Sequence, residues 1–137
     1  MNIFFDGRSF GPDGSGYVAQ LSSGKYIWTR GILCGKVTSN VAVLMALYYT
    51  VLSIKNKSAK IIFSTPSKYI TLMFGRDSNG NFIKQTDNIQ SNRELISKIR
   101  RELLQVPKYA IENSNDDKID ELLINMMRTK TEFFKKS

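Results

Sequence analysis

Few side chains in this sequence can do chemistry, and they are unevenly placed. Histidine is absent, which removes imidazole acid–base catalysis, Ser–His nucleophile pairs and most zinc sites together. Cys34 is the one cysteine, so no intrachain disulfide can form and a reducing, intracellular setting is expected. Carboxylates remain for hydrolytic or metal-assisted chemistry, because hard divalent cations take oxygen ligands. Asp6 closes the apolar run Ile3-Phe4-Phe5, whereas Glu112, Asp116, Asp117 and Asp120 gather toward the C-terminus. From Lys25 to Gly75 there is no Asp or Glu. Glu112, Asp116 and Asp117 read first as strand-end and helix-start surface charge, and an active site rebuilt from them is the alternative.

The elements that must position these groups follow from pattern and turn chemistry. Ile3 to Gly7, Tyr17 to Leu21 and Tyr26 to Leu33 read as three strands on short Gly- and Ser-rich connections, an antiparallel meander. Thr38-Ser39-Asn40 offers capping side chains for a helix over Val41–Ile54. That helix is apolar on almost every side, so it is either buried all round or covered by a partner. Lys60 to Ser64 is a fourth strand. Thr65 and Pro66 then read as cap and first turn of a short helix. Gly75 to Asn92 is a polar loop. Asn92 caps a helix with Leu95, Ile96, Ile99, Leu103 and Leu104 on one face. Lys108 to Glu112 is a fifth strand. Asn115 or Asp116 starts a last helix, with Ile119, Leu122, Leu123, Met126 and Met127 as its apolar stripe. The expected fold class is α/β, a mixed five-stranded sheet with helices on both faces. One domain is expected over residues 1–128, followed by a basic tail over 129–137.

Composition bounds the partners. Hydrophobic residues make up 42% of 137, enough for a core. No apolar run reaches the roughly 18 residues of a membrane span, and the opening residues carry no basic region or cleavage pattern of a signal peptide. No membrane partner is expected. The formal net charge is +8, with the surplus mostly before Ser91. It suits a phosphate backbone or another acidic surface, or is an ordinary solvated basic surface.

Six local motifs, in order, resemble the type 1 ribonuclease H family. They are Phe5-Asp6-Gly7, the loop Gly11 to Tyr17, the helix opening Thr38-Ser39-Asn40-Val41-Ala42-Val43-Leu44, Ser64-Thr65-Pro66-Ser67-Lys68-Tyr69, Asn92-Arg93-Glu94-Leu95 and Asp116 to Leu122. The resemblance spans residue 2 to about 128. It implies a sheet with strands 1–3 antiparallel and strands 4–5 parallel to strand 1. It also implies a site of four carboxylates holding two magnesium ions that cleave the RNA strand of a hybrid. Asp6 and Asp120 match the first and last of these. Val43 and Pro66 stand where the other two belong, and neither side chain offers a ligand atom.

A degenerate, non-catalytic member is therefore expected, with Asp6 and Asp120 as remnants holding at most one weak ion. No cofactor is expected; Mg2+ enters only with residual activity. The resemblance places Asn40 at the sugar-phosphate edge of RNA or an RNA/DNA hybrid, with Ser39 and Gly7 beside it, and Arg8, Lys36, Lys68 and Arg76 are candidates for phosphate contacts. Asn40 is otherwise a plain helix cap. Two further readings are a protein-assembly subunit, using the Val41–Ile54 helix or the Phe133-Phe134 tail, and a weak metal-dependent hybrid nuclease. Degenerate domains of this fold occur in viral and mobile-element proteins, which makes such a setting an expectation here.

Overall fold

A computed structural model describes residues 1–86 and 89–136. Strands β1 (Asn2–Ser9), β2 (Ser15–Ser23) and β3 (Tyr26–Gly35) form the meander, followed by helix α1 (Ser39–Ser53). Then come β4 (Ile61–Thr65), α2 (Lys68–Phe74), α3 (Arg93–Leu103), β5 (Tyr109–Asn113), α4 (Asp117–Thr129) and β6 (Phe133–Lys136). The sheet order is β5-β4-β1-β2-β3-β6. β1 pairs antiparallel with β2, and β2 with β3. β4 runs parallel to β1, and β5 to β4.

The expected five strands become six. Phe133–Lys136, read above as part of a basic tail, pairs antiparallel with β3 from Gly31 to Trp28. Four residues of mixed polarity carry no strand signal of their own; the pairing is made by a neighbour about a hundred positions earlier. Phe133 then packs with α4, while Phe134 lies on the opposite face of the sheet beside Trp28 and Arg30.

Strand alternation divides the core. Ile3 and Phe5 of β1 join the larger cluster with α1, α2 and α3, while Phe4 packs toward α4 with Val18, Ile119, Leu123 and Met126. Phe63 is fully buried between the rings of Phe5 and Tyr109, with centroids at 6.3 and 5.9 Å in edge-on geometry, an arrangement the ring quadrupoles favour. Buried Arg100 donates from Nε and Nη2 to the Met73 carbonyl at 3.1 and 2.7 Å and from Nη2 to the Lys84 carbonyl at 2.9 Å. It thereby ties α3 to the end of α2 and to the loop after it. That loop was read from Gly75 to Asn92; positions 87 and 88 within it lie outside the described residues.

Three helix starts differ in detail from the sequence reading. Thr38 caps α1, its Oγ1 accepting from Val41 N at 3.2 Å, so Asn40 is inside the helix and not its cap. Ser67 caps α2 through Ile70 N at 3.3 Å. Thr65, expected to cap it, ends β4 and is fully buried. Asn92 precedes α3 in a left-handed conformation without a side-chain cap; its amide reaches the Tyr69 hydroxyl instead. Asp116 caps α4 as expected, accepting from Lys118 N and Ile119 N.

α1 is buried on most of its surface but not all round. Tyr49 and Leu52 are 45% and 44% exposed. Among the described residues, no helix is long and apolar enough to cross a membrane.

Gly7 fixes how close α1 comes to the sheet. A Cβ there would lie 2.6 Å from Ala42 C and Val43 N, both backbone atoms of α1. Neither can swing aside as a side-chain tip would. Gly7→Ala is expected to lower the unfolding free energy by about 1–3 kcal/mol, the usual cost of overpacking a close contact. Urea denaturation reads this directly, and an unchanged midpoint would show that α1 is free to shift outward.

Candidate functional site

An open cleft of about 510 Å³ lies where the C-terminal ends of β1 and β4 meet the first turns of α1, α2 and α4. Strand ends of this kind are where α/β sheets place ligands. Phe4, Asp6, Gly7, Arg8, Ser39, Asn40, Val43, Pro66, Ser67, Asn115, Asp116, Asp117 and Asp120 line it. The four positions matched to a metal-binding set, Asp6, Val43, Pro66 and Asp120, thus converge in space. Val43 is buried hydrocarbon, and Pro66 closes the end of β4. Among the described residues, no group of three or more acidic, histidine or cysteine side chains is placed to hold a metal ion.

Arg8 has a placement that its residue type alone does not reveal. Residues two apart on a strand share a face, so Arg8 stands beside Asp6 and leans toward α4. Its Nη2 donates to Asp120 Oδ1, and its Nε lies 3.3 Å from Asp6 Oδ2. The second contact is an ion pair without hydrogen-bond alignment, so the buried Nε has no acceptor among the described residues. One guanidinium thus spans the two carboxylates that come from β1 and α4. Burial pushes the Asp6 carboxyl above its ordinary value, and the Asp120 charge adds to this. The Arg8 charge and the Gly7 backbone N–H pull the other way without cancelling the burial.

The remaining candidates divide. Ser39 faces the cleft and accepts from Ser9 N at 2.8 Å, which locks the start of α1 to the end of β1. Asn40 is exposed, and its side chain makes no hydrogen bond among the described residues. Lys68 is exposed at the start of α2, one residue after the cleft-lining Ser67, and does not itself line the cleft. Lys36 sits in a separate depression with Pro12, Asp13 and Lys130. Arg76 is far from the cleft: its guanidinium lies 3.9 Å from the centre of the Tyr109 ring and donates to the Pro107 carbonyl. Tyr109 pairs with Ile61 at the opposite end of β4 from Pro66. Ser67 and Asn115 also line the cleft. Both follow strand ends; in the sequence Ser67 stands within the fourth motif and Asn115 is one of the two candidate starts of the last helix, and neither is marked there as a site residue.

No protein-family model matches the chain, and no curated protein matches it in sequence. Solved structures do. A foamy viral protease-reverse transcriptase in complex with an RNA/DNA hybrid matches at TM-score 0.69 and 16% identity, covering 93% of this chain and 20% of that one. The N-terminal ribonuclease H domain of a Mycobacterium tuberculosis protein, solved as a fusion with maltose binding protein, matches at TM-score 0.69 and 18% identity, covering 93% and 99%. Ribonuclease H1 from the archaeon Halobacterium salinarum matches at TM-score 0.68 and 20% identity, covering 95% and 98%. The chain therefore spans about a fifth of the viral protease-reverse transcriptase and nearly all of the other two chains. At these identities the likeness shows the fold, and the fold is that of ribonuclease H.

Proposed function

We propose that this ribonuclease H fold serves as a non-catalytic module that binds RNA or an RNA/DNA hybrid at the cleft of Asp6 and Asp120. The observation that carries the reading is the Arg8 guanidinium spanning both carboxylates. A protein cation occupies the place where a two-ion hydrolase needs divalent ions about 4 Å apart. The donor set does not fit magnesium in the manner of that chemistry. Val43 contributes no donor, Pro66 none from its side chain, and the two remaining carboxylates already have a cation. The hybrid-bound structural neighbour supports the choice of ligand by analogy of fold alone.

The cleft is still acidic in sum, with four aspartates against Arg8. Phosphate attraction must therefore come from around the cleft and from helix starts. Lys68, next to the cleft-lining Ser67, and Lys36, in the separate depression, supply charge, and the free amide of Asn40 with the first backbone N–H groups of α1 supplies directed donors. Burial also pushes the Cys34 thiol up to about 11, which keeps it protonated at neutral pH.

Filter binding of a short RNA/DNA hybrid is expected to give a shallow salt dependence. Two phosphate contacts correspond to a log–log slope of about −2, and Lys68→Ala is expected to reduce it by about one. Asn40→Ala is expected to weaken binding several-fold at every salt concentration. Magnesium- or manganese-dependent hybrid cleavage that disappears in Asp6→Asn would overturn the non-catalytic reading. Affinity indifferent to salt would remove the phosphate contacts.

A further inference from the structure

A second surface lies outside the cleft. Along β3, Tyr26, Trp28 and Arg30 alternate onto one face of the sheet, and their partners Lys136 and Phe134 of β6 share it. α1 covers the neighbouring strands but stops short of this edge. Tyr26, Trp28, Phe134 and Tyr49 are 53%, 39%, 64% and 45% exposed. Between them is a slot of about 140 Å³, floored by Tyr17, Ala19 and Leu21 and walled by Tyr49, Thr50 and Ser53 on one side and Trp28, Arg30 and Phe134 on the other. Cations flank the rings: Lys136 Nζ lies 6.0 Å from the Trp28 centroid and Lys25 Nζ 5.9 Å from that of Tyr26. None of the residues lining the slot is acidic. Glu132, whose charge reaches Tyr17, accepts from Leu33 N farther along β3.

We propose that this face is a stacking platform for a single-stranded nucleic acid, separate from the cleft. Exposed aromatic rings set among cations match that ligand on both of its recognition terms. The π-faces of unpaired bases stack on the rings, and the phosphates between bases meet Lys25, Arg30 and Lys136. From Tyr26 to Arg30 the platform runs about 13 Å, room for two or three stacked bases. A second copy of the chain fits less well. Two platforms face to face would oppose like charges, and the lysines of β6 guard that edge against strand addition. Tyr26 and Trp28 also lie toward the end of the sheet away from Asp6, since Asn2 pairs with Ser22 and Ser22 with Ile27. The proposal therefore stands or falls independently of the cleft.

Trp28 is the one tryptophan, so its emission reports on this face alone. Titration of the full chain with oligouridylate or oligothymidylate is expected to quench Trp28 saturably. Both sugars are expected to serve, because stacking uses the base and not the ribose. Phe134→Ala and Tyr26→Ala, checked for folding by circular dichroism, are each expected to weaken the titration on the order of tenfold. An RNA/DNA hybrid, whose bases are already stacked, is expected to leave the emission unchanged even where it binds the cleft. Absence of quenching by either oligonucleotide would overturn the proposal. So would equal quenching by inorganic polyphosphate, or a Trp28 emission that shifts with protein concentration and ignores oligonucleotide.

Discussion

Arg8→Ala is expected to destabilise the protein at neutral pH and to leave it nearly as stable as the parent at acid pH. The loss at pH 7 is about 1–2 kcal/mol. Breaking a buried ion pair commonly costs 3–5 kcal/mol, but the Arg8 side chain is about one-third exposed and that of Asp120 about half, so solvent screening reduces the figure. The pH dependence follows from Asp6. Burial already holds its folded-state pKa above the ordinary value, with Arg8 opposing the shift. Without Arg8 the folded pKa rises further while the unfolded value does not move. A carboxyl raised in the folded state binds more protons there than in the unfolded chain, so stability falls as pH climbs between the two values. In the variant that window reaches to higher pH, and the gap to the parent opens as pH rises from about 4 toward 7. Urea denaturation at the two ends measures it. A gap of equal size at both would mean that Arg8 contributes packing and not charge. Manganese adds a second arm. With the guanidinium gone, Asp6 and Asp120 face each other without a cation, and the ion is expected to recover part of the loss in the variant while leaving the parent unmoved.

The same residue illustrates how far local pattern reaches into this molecule. The order of elements was legible because each strand and helix carries its own period and its own punctuation. Asp116 shows this at residue level: its two bonds to α4 amides need nothing beyond the next three positions. β6 was not legible, because Phe133–Lys136 becomes a strand only against β3. The site divides along the same line. Asp6, Val43, Pro66 and Asp120 were placed together by their positions within motifs, and they do converge. The partners of Arg8 and Arg76 depend on contacts made by the fold. One basic side chain turns inward to an aspartate 112 positions away, and the other lies over a tyrosine at the far end of the sheet. Basic residues that look interchangeable as phosphate ligands in sequence are separated by what the fold brings to them.

If the cleft lost its ions through three particular positions, restoring those positions is expected to restore ion dependence. Val43→Glu alone puts a carboxylate into a site 2% exposed. It is expected to cost about 3–5 kcal/mol at neutral pH, the range for an unpaired buried charge, with partial recovery on acidification as the group protonates. Adding Arg8→Ser removes the competing cation, and Pro66→Asp supplies a fourth carboxylate at the end of β4. The triple variant without divalent ions is expected to be less stable than Val43→Glu alone, since four carboxylates then repel one another across one cleft. With magnesium or manganese the order reverses: ion binding to the folded state adds stability in proportion to the logarithm of ion concentration. Thermal melts across a manganese titration read this without reference to activity, and hybrid cleavage by the ion-loaded variant is the stronger outcome. A folded triple variant indifferent to both ions would mean that the lost carboxylates cannot be rebuilt at Val43 and Pro66. It would also mean that Arg8 is not the substitute for the ions, and the non-catalytic reading would then need a different physical basis from the one the cleft supplies.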